Sequence, residues 1–160
     1  MTARFRKTRA LADQQLDFEL LFHSPYVIAA GTNSPWASRR RIEAAELMGE
    51  LWALPAPDAD FGSTVVDAFR AGGLDFPRAT VVATALEMRA NLLRTGRYLT
   101  ILPEFWLHFP ARHSFIKKLP VKLPIPGAPV GVAILKDRTP RPVIGRFVEC
   151  ALEVAKLLRP

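Results

Sequence analysis

The chain has 160 residues, 49% of them hydrophobic and 23% charged, which is enough apolar material for one core-forming domain or two small lobes. No apolar run approaches the roughly 20 residues that span a bilayer, and the N-terminus lacks the apolar segment of a secretory signal. The sequence therefore predicts a globular, cytoplasmic protein and excludes disordered and membrane-spanning chains.

The balance of charge is basic, with 22 Lys and Arg residues against 15 Asp and Glu residues and a net charge of +7. The basic residues cluster at 4–9, 39–41, 117–122 and 136–141, each at a chain end or in a predicted loop. No cluster alternates with aromatic residues that would stack bases, and no helix carries a continuous basic face. We therefore expect no direct contact between this chain and DNA or RNA.

Strands and helices alternate along the chain. Apolar runs bounded by turn residues predict strands at 26–31, 51–55, 78–83, 98–102 and 130–137, and an extended segment at 117–125. Helical spacing of apolar residues predicts helices at 41–50, from Ser63 or Thr64 to the glycines at 72–73, at 86–95, and from Thr139 and Pro140 to the C-terminus. This order predicts an α/β protein with a mostly parallel sheet covered by helices.

The helices have distinct inner faces. In the second helix Val65, Ala68 and Phe69 are spaced to point inward, and Gly96 ends the third helix with a positive φ. The last helix carries an apolar stripe, and Cys150 falls within its pattern, which predicts a buried thiol. The stripe consists of Ile144, Phe147, Ala151, Val154 and Leu158.

Candidate ligand-binding residues follow the predicted strands, because ligands of such sheets bind beyond the carboxyl ends of strands and beside helix N-termini. Residues 56–63 form a predicted loop before a helix, where free backbone N–H groups favour an anion. Phe61 can pack on an apolar body, Gly62 allows close approach, and Ser63 offers a hydroxyl. Asp60, Thr84 and Thr32, with the neighbouring Asn33, are further candidates. For Asp60, Ser63 and Thr84, a plain helix cap is the alternative, and ordinary turn chemistry explains Thr32.

An enzyme is not expected. His23, His108 and His113 are scattered, and none is spaced to pair with Cys150 or a serine as a nucleophile. No cluster of residues with metal-ligand spacing occurs, and both common glycine-rich nucleotide motifs are absent. We therefore predict no catalytic residue, no metal and no cofactor.

The order of the motifs resembles the effector-binding domain of LysR-type transcriptional regulators, over about nine-tenths of the chain. The family pattern places a proline, a hydrophobic residue and an alanine after the first strand, a Gly-Ser pair in a proline-rich loop, and a glycine-to-proline segment after a helix. Residues 35–37, 62–63 and 96–103 match these motifs. Tyr98 departs from the pattern, because many relatives have a second glycine there.

The resemblance implies a fold like a type 2 periplasmic binding protein, with one complete lobe at 20–116 and parts of the other lobe at 1–19 and 117–160. It implies that the 56–63 loop contacts a small, anionic effector. It also implies that the helix-turn-helix and the first units of the effector domain would precede Met1. Such a chain would expose sheet edges and the last helix, and would form homo-oligomers or pair with a full-length regulator. The alternative function is a non-sensing fragment that acts only by protein association, or a gene remnant.

Overall fold

In a computed structural model, residues 16–109, 113–123, 125–135 and 142–158 are described. The chain divides into two compact units. The first contains Met1–His23 and Pro129–Pro160, and the second contains Ser24–Ala128. Within the described residues, no helix is both long and apolar enough to cross a membrane.

The second unit is built on a five-stranded sheet with the order β4-β3-β5-β2-β6. Strand β3 pairs in parallel with β4 and β5, whereas β2 pairs antiparallel with β5 and β6. Four of the five strands therefore run in the same direction, and the expectation of a mostly parallel sheet is confirmed except at β2, which runs in the opposite direction. The strands are β2 (Tyr26–Gly31), β3 (Leu51–Leu54), β4 (Ala79–Val82), β5 (Tyr98–Pro103) and β6 (Ile116–Lys118).

Both faces of this sheet are covered, which explains why β2 is apolar at every position. Ile28 and Ala30 belong to one buried cluster and Val27 and Ala29 belong to another, as the alternation of a strand requires. The first cluster is centred on Trp52, whose ring meets that of Phe69 edge to face with centroids 5.9 Å apart. The Trp52 indole donates a 2.9 Å hydrogen bond to the Leu47 carbonyl oxygen.

Helix α1 (Asp60–Ala71) begins earlier than the sequence predicted. Its N-cap is Ala59, which makes no side-chain cap hydrogen bond, and the Ser63 N–H donates to the Ala59 carbonyl oxygen over 2.9 Å. The expectation that Ser63 or Thr64 caps this helix is therefore wrong. The inward face is confirmed, because Val65, Ala68 and Phe69 are buried. The helix ends at the glycine pair, and Gly73 has a φ of 73°.

The other helices of this unit are shorter than predicted. The segment 41–50 forms only a 3₁₀ turn at Ala44–Leu47, which Glu43 and Glu46 close as a capping box. Helix α2 (Leu86–Leu92) is followed by a 3₁₀ turn, Leu93–Thr95, and ends at Gly96 with a φ of 72°, as expected.

The first unit contains β1 (Leu16–Ser24) and β7 (Ala128–Leu135), which form a two-stranded sheet, and helix α3 (Pro142–Leu158). Thr139 and Pro140, the predicted start of this helix, lie outside the described residues. Phe147 is 60% exposed and Val154 is 53% exposed, so part of the apolar stripe faces solvent. Cys150 is also exposed, and the prediction of a buried thiol is wrong because its side of α3 is not covered.

Candidate functional site

The three strands of the second unit that pair with one another in parallel, β3, β4 and β5, end at one side of the sheet, which we call the carboxyl edge. It is formed by the last residues of β3, β4 and β5, and the first turns of α1 and α2 follow β3 and β4 there. Because β2 is antiparallel and Tyr26 pairs with Pro103, Tyr26 also lies at this edge. The antiparallel strand therefore adds an aromatic residue to the place where the parallel strands end.

Tyr26 and Phe61 form an aromatic pair at the carboxyl edge. Their ring centroids are 4.2 Å apart and the rings are tilted by 32°. Both residues are partly buried, and Phe61 is the second residue of α1. Burial raises the pKa of the Tyr26 hydroxyl, and the nearby positive charge of Arg89 partly opposes this shift. The pair offers a flat apolar surface beside a helix N-terminus.

Gly62 and Ser63 follow Phe61 in the first turn of α1. A Cβ atom on Gly62 would lie 1.8 Å from the Ala56 carbonyl oxygen, so the helix start packs directly on the loop after β3. The group that packs closely against Gly62 is therefore the backbone of Ala56. Ser63 is partly buried and donates the first hydrogen bond within the helix. Asp60 is the first residue of α1, and its side chain is outside the described part of the structure.

Of the remaining predicted residues, one lies at the carboxyl edge and one does not. Thr84 is exposed, follows β4 at this edge and stands one residue before Ala85, the N-cap of α2. Thr32 follows β2 at the opposite edge, where its N–H donates to the Phe115 carbonyl oxygen over 2.8 Å. The neighbouring Asn33 donates to the Arg94 carbonyl oxygen over 3.1 Å. The structure therefore brings Phe61, Gly62, Ser63 and Thr84 to one edge and separates Thr32 from them.

Sequence reasoning missed Arg89, the fourth residue of α2. This residue is 3% exposed, and its Nη1 atom donates a 3.0 Å hydrogen bond to the carbonyl oxygen of Ile101, two residues before the end of β5. The sequence did carry a signal, because Arg89 stands three residues after Leu86 and four before Leu93, on the buried face of the helix. Burial lowers the pKa of its guanidinium, and Tyr26 opposes that shift.

The basic clusters at 39–41 and 117–122 meet in a second feature of this unit. A parallel bridge between Ile42 and Val121 joins them, and Arg40, Arg41, Lys118 and Lys122 line a groove of about 580 Å³. Glu43 and Glu104 offset two of these charges, through ion pairs of 2.9 Å to Arg41 and 2.6 Å to Lys118. We call this feature the basic groove.

The described ranges contain no metal-binding cluster. No group of three or more His, Cys, Asp or Glu residues there could hold a metal ion. His113 stacks on Trp106 with centroids 4.5 Å apart, and its Nδ1 atom lies 3.0 Å from the Trp106 carbonyl oxygen. This histidine therefore has a structural partner, and the carboxyl edge is left as the better candidate site.

Comparison with known families gives a match over most of the chain. Residues 5–156 match the family described as "LysR substrate binding domain". No match was found among curated proteins.

Solved structures share the fold at low sequence identity. The regulatory domain of CcmR from Synechocystis PCC6803, in complex with 2-PG, is 18% identical with a TM-score of 0.68, and the match covers 90% of this chain and 69% of that one. The effector-binding domain of QuiR in complex with shikimate is 17% identical with a TM-score of 0.65, covering 91% and 68%. The effector domain of AmpR from Pseudomonas aeruginosa is 16% identical with a TM-score of 0.68, covering 90% and 67%. The chain thus spans about two thirds of each of these structures.

Proposed function

Because the chain belongs to the LysR substrate-binding domain family, we propose that it is the small-molecule effector-binding module of a LysR-type transcriptional regulator. The family consists of regulator domains and not of enzymes, and we extend this to the present chain, with no catalytic residue. We further propose that it works in the cytoplasm, where a transcriptional regulator meets its DNA.

The observation that carries the proposal is the aromatic pair of Tyr26 and Phe61 at the carboxyl edge. Their rings are 4.2 Å apart and both are partly buried, so they can cover the apolar body of a ligand. Phe61 also lies in the first turn of α1, where backbone N–H groups and the helix dipole favour negative charge. Ser63 and Thr84 supply hydroxyl groups at the same edge.

These features favour a small, anionic molecule with an apolar body. Two structural relatives are described in complex with small molecules, 2-PG for CcmR and shikimate for QuiR. The likeness to them is at the level of the fold, so the identity of the effector has to come from binding measurements on this chain.

A thermal-shift screen against small carboxylates, aromatic acids and amino acids tests the proposal. A molecule that binds the folded chain stabilises it by mass action and so raises its melting temperature. At a ligand concentration one hundred times the Kd, the stabilisation is about 2.7 kcal/mol. We expect a dose-dependent shift that Phe61→Ala or Ser63→Ala removes. The matched controls are Phe109→Ala and Ser38→Ala, which change exposed residues that are not among the candidate ligand contacts. A shift that survives Phe61→Ala would place the site elsewhere, and no shift for any compound would contradict sensing by this chain alone.

A second function, association without a ligand, is favoured by the exposed apolar side chains of α3. Val143 and Leu157 are 69% and 82% exposed, in addition to Phe147 and Val154. Exposed apolar patches of this kind mark interaction surfaces. In this alternative, the chain would pair with itself or with a full-length regulator. Concentration-dependent association together with a complete lack of ligand response would favour it.

We propose that this chain makes no direct contact with DNA, which is bound by a helix-turn-helix elsewhere in the regulator. The basic groove provides the test, because its Lys and Arg side chains are the groups that could meet phosphates. We expect no measurable binding of two unrelated short duplexes at physiological salt, and any weak binding at low salt should be equal for both and should fall steeply with salt. Fluorescence anisotropy measures both properties. A clear preference for one duplex would contradict the proposal.

A further inference from the structure

Arg89 carries a buried positive charge that the described part of the chain does not neutralise. This residue is 3% exposed, and no carboxylate among the described residues lies within ion-pair distance of its guanidinium. Its Nη1 atom donates to the Ile101 carbonyl oxygen over 3.0 Å and lies 3.5 Å from the Thr100 hydroxyl. Its Nε atom is buried and has no hydrogen-bond partner among the described residues. A buried charge and a buried N–H group are both costly when unpaired.

The Arg89 guanidinium lies beside the first turn of α1. Its Cζ atom is 5.8 Å from the centroid of the Phe61 ring, in the first turn of α1. The N-terminus of a helix is itself a centre of positive potential. Two positive features therefore lie side by side at the carboxyl edge, and an anion placed between them would be attracted by both. Burial lowers the pKa of Arg89, which is the direction expected for a site that lacks its anion.

We propose that Arg89 binds the anionic group of the effector, a carboxylate, through its unpartnered Nε–H, while Tyr26 and Phe61 cover the ligand's apolar body. The inference rests on the proposed function and names the ligand class and the anchor of that same site. Arginine suits the role because its planar guanidinium presents parallel N–H groups to the two oxygens of a carboxylate. The Nη1 bond to the Ile101 carbonyl oxygen holds the guanidinium against β5, so the Nε–H is the group of this guanidinium that a ligand carboxylate would satisfy.

Arg89 lies on the buried face of α2, where the helix pattern predicts an apolar residue. Binding of an anion would explain why an arginine is buried there. A methionine there would fill a similar space without charge. A buried charge without a partner carries a desolvation cost that an apolar side chain of similar volume does not have. We therefore expect Arg89→Met to melt at the same or a higher temperature than the unliganded parent chain, while it loses its response to carboxylates.

The test is a titration of the ¹⁵N-labelled chain with benzoate, and with benzamide as its uncharged counterpart. The Nε–Hε cross-peak of Arg89, assigned by its loss in Arg89→Lys, should move saturably with benzoate and not with benzamide. The matched control is Arg94, an exposed arginine whose guanidinium lies 3.6 Å from the Phe115 ring centroid, and its cross-peak should not move. In calorimetry, Arg89→Met should weaken benzoate binding by about tenfold or more. Arg89→Lys, which keeps the charge and loses Nε–H, should retain part of the affinity.

The outcomes separate the two proposals. If acetate, benzoate and the rest of the carboxylate panel leave the Arg89 cross-peak unmoved, the inference is overturned. A carboxylate that still raises the melting temperature in that case would leave the proposed function standing with another anchor. If benzoate moves the Arg89 cross-peak, and Phe61→Ala leaves every thermal shift intact, the anion site stands and the aromatic part of the proposed function fails. Equal benzoate affinity in the parent chain and in folded Arg89→Met would also overturn the inference.

Discussion

The hydroxyl group of Thr100 on β5 donates a 2.6 Å hydrogen bond to the backbone carbonyl oxygen of Ala53 on β3, and both residues are fully buried. The last backbone pair between these two strands is Trp52 with Leu99. Ala53 and Thr100 are the next residue of each strand, so the side-chain bond continues the connection beyond the backbone pairing. The two strands therefore stay connected up to the carboxyl edge.

Removing this bond should destabilise the chain. Thr100→Val keeps the shape of the side chain but leaves buried polar atoms without their partner, which costs about 1–2 kcal/mol. We expect a corresponding fall in the free energy of unfolding, measured by urea denaturation. Thr84→Val, at an exposed position, is the control and should change little. An unchanged urea midpoint for Thr100→Val would show that this hydrogen bond makes no net contribution to the free energy of unfolding.

The start of α1 should tolerate no side chain at residue 62. In Gly62→Ala the new Cβ atom would lie 1.8 Å from the Ala56 carbonyl oxygen, so the helix or the loop has to move. We expect a loss of at least about 2 kcal/mol, because forced overpacking of this kind costs about 1–3 kcal/mol and the contact is with backbone. Gly49→Ala, which meets nothing within 4 Å, is the matched control. Thermal melting of both variants would decide, and equal melting temperatures would contradict the prediction.

Gly96 should be more sensitive to substitution than Gly73, although both have a positive φ. The two values are 72° and 73°, and the left-handed conformation costs an alanine about 1–2 kcal/mol at either position. At Gly96 a Cβ atom would also meet the Asn33 side chain at 3.0 Å, whereas at Gly73 it would meet nothing within 4 Å. We therefore expect Gly96→Ala to lower the urea midpoint further than Gly73→Ala. The opposite order would show that Asn33 gives way freely.

Stability should depend on pH through Tyr26 at high pH. Burial raises the pKa of its hydroxyl above the ordinary value of about 10, so the folded chain holds this proton more tightly than the unfolded chain does. As the pH rises past about 10, the unfolded chain releases the proton first, and the free energy of unfolding falls. Tyr26→Phe lacks this dependence. Urea midpoints measured for both proteins from about pH 8 to pH 11 should therefore diverge, with the parent chain falling faster. Parallel curves would rule out the effect.

The exposed side of α3 should promote association of the isolated chain. Phe147 is 60% exposed, and with Val132–Leu135, Val143 and Ile144 it lines an apolar groove of about 500 Å³. Phe147→Ser removes the largest apolar group there, and we expect a lower average mass at high concentration in size-exclusion chromatography with light scattering. Arg146→Ser, at the neighbouring exposed position, is the control. A mass that is equal in all three proteins would show that the groove does not mediate self-association.

Local sequence patterns correctly predicted those features that depend on residues close together in the sequence. The helical spacing of Val65, Ala68 and Phe69 identified the buried face of α1, and Gly96 was expected at a left-handed position because a helix meets a strand there. The patterns failed where the cause is distant in sequence. The direction of β2 depends on which strand it pairs with, and the apolar run 26–31 is the same in either direction.

At the candidate site, too, residues that follow from local sequence could be predicted, and residues that depend on distant contacts could not. Phe61 and Ser63 are candidates because the sequence predicts a loop before a helix there, and in the structure the helix already begins three residues before Ser63. Tyr26 and Arg89 were missed because only the folded sheet brings them beside Phe61. The exposed Cys150 was mistaken for a buried residue because helical periodicity shows which residues share a face and does not show whether anything covers that face.

The placement of β2 has a consequence for how the chain is made. β2 comes before the four other strands of its sheet in the sequence, and yet its partners among the described residues are β5 and β6, which come much later. During translation its apolar run, Tyr26–Gly31, leaves the ribosome well before Pro103 and Ile116 exist to pair with it. Unpaired apolar strands are the segments that chaperones and aggregation compete for. The growing chain therefore has to protect this strand until nearly all of the second unit has emerged.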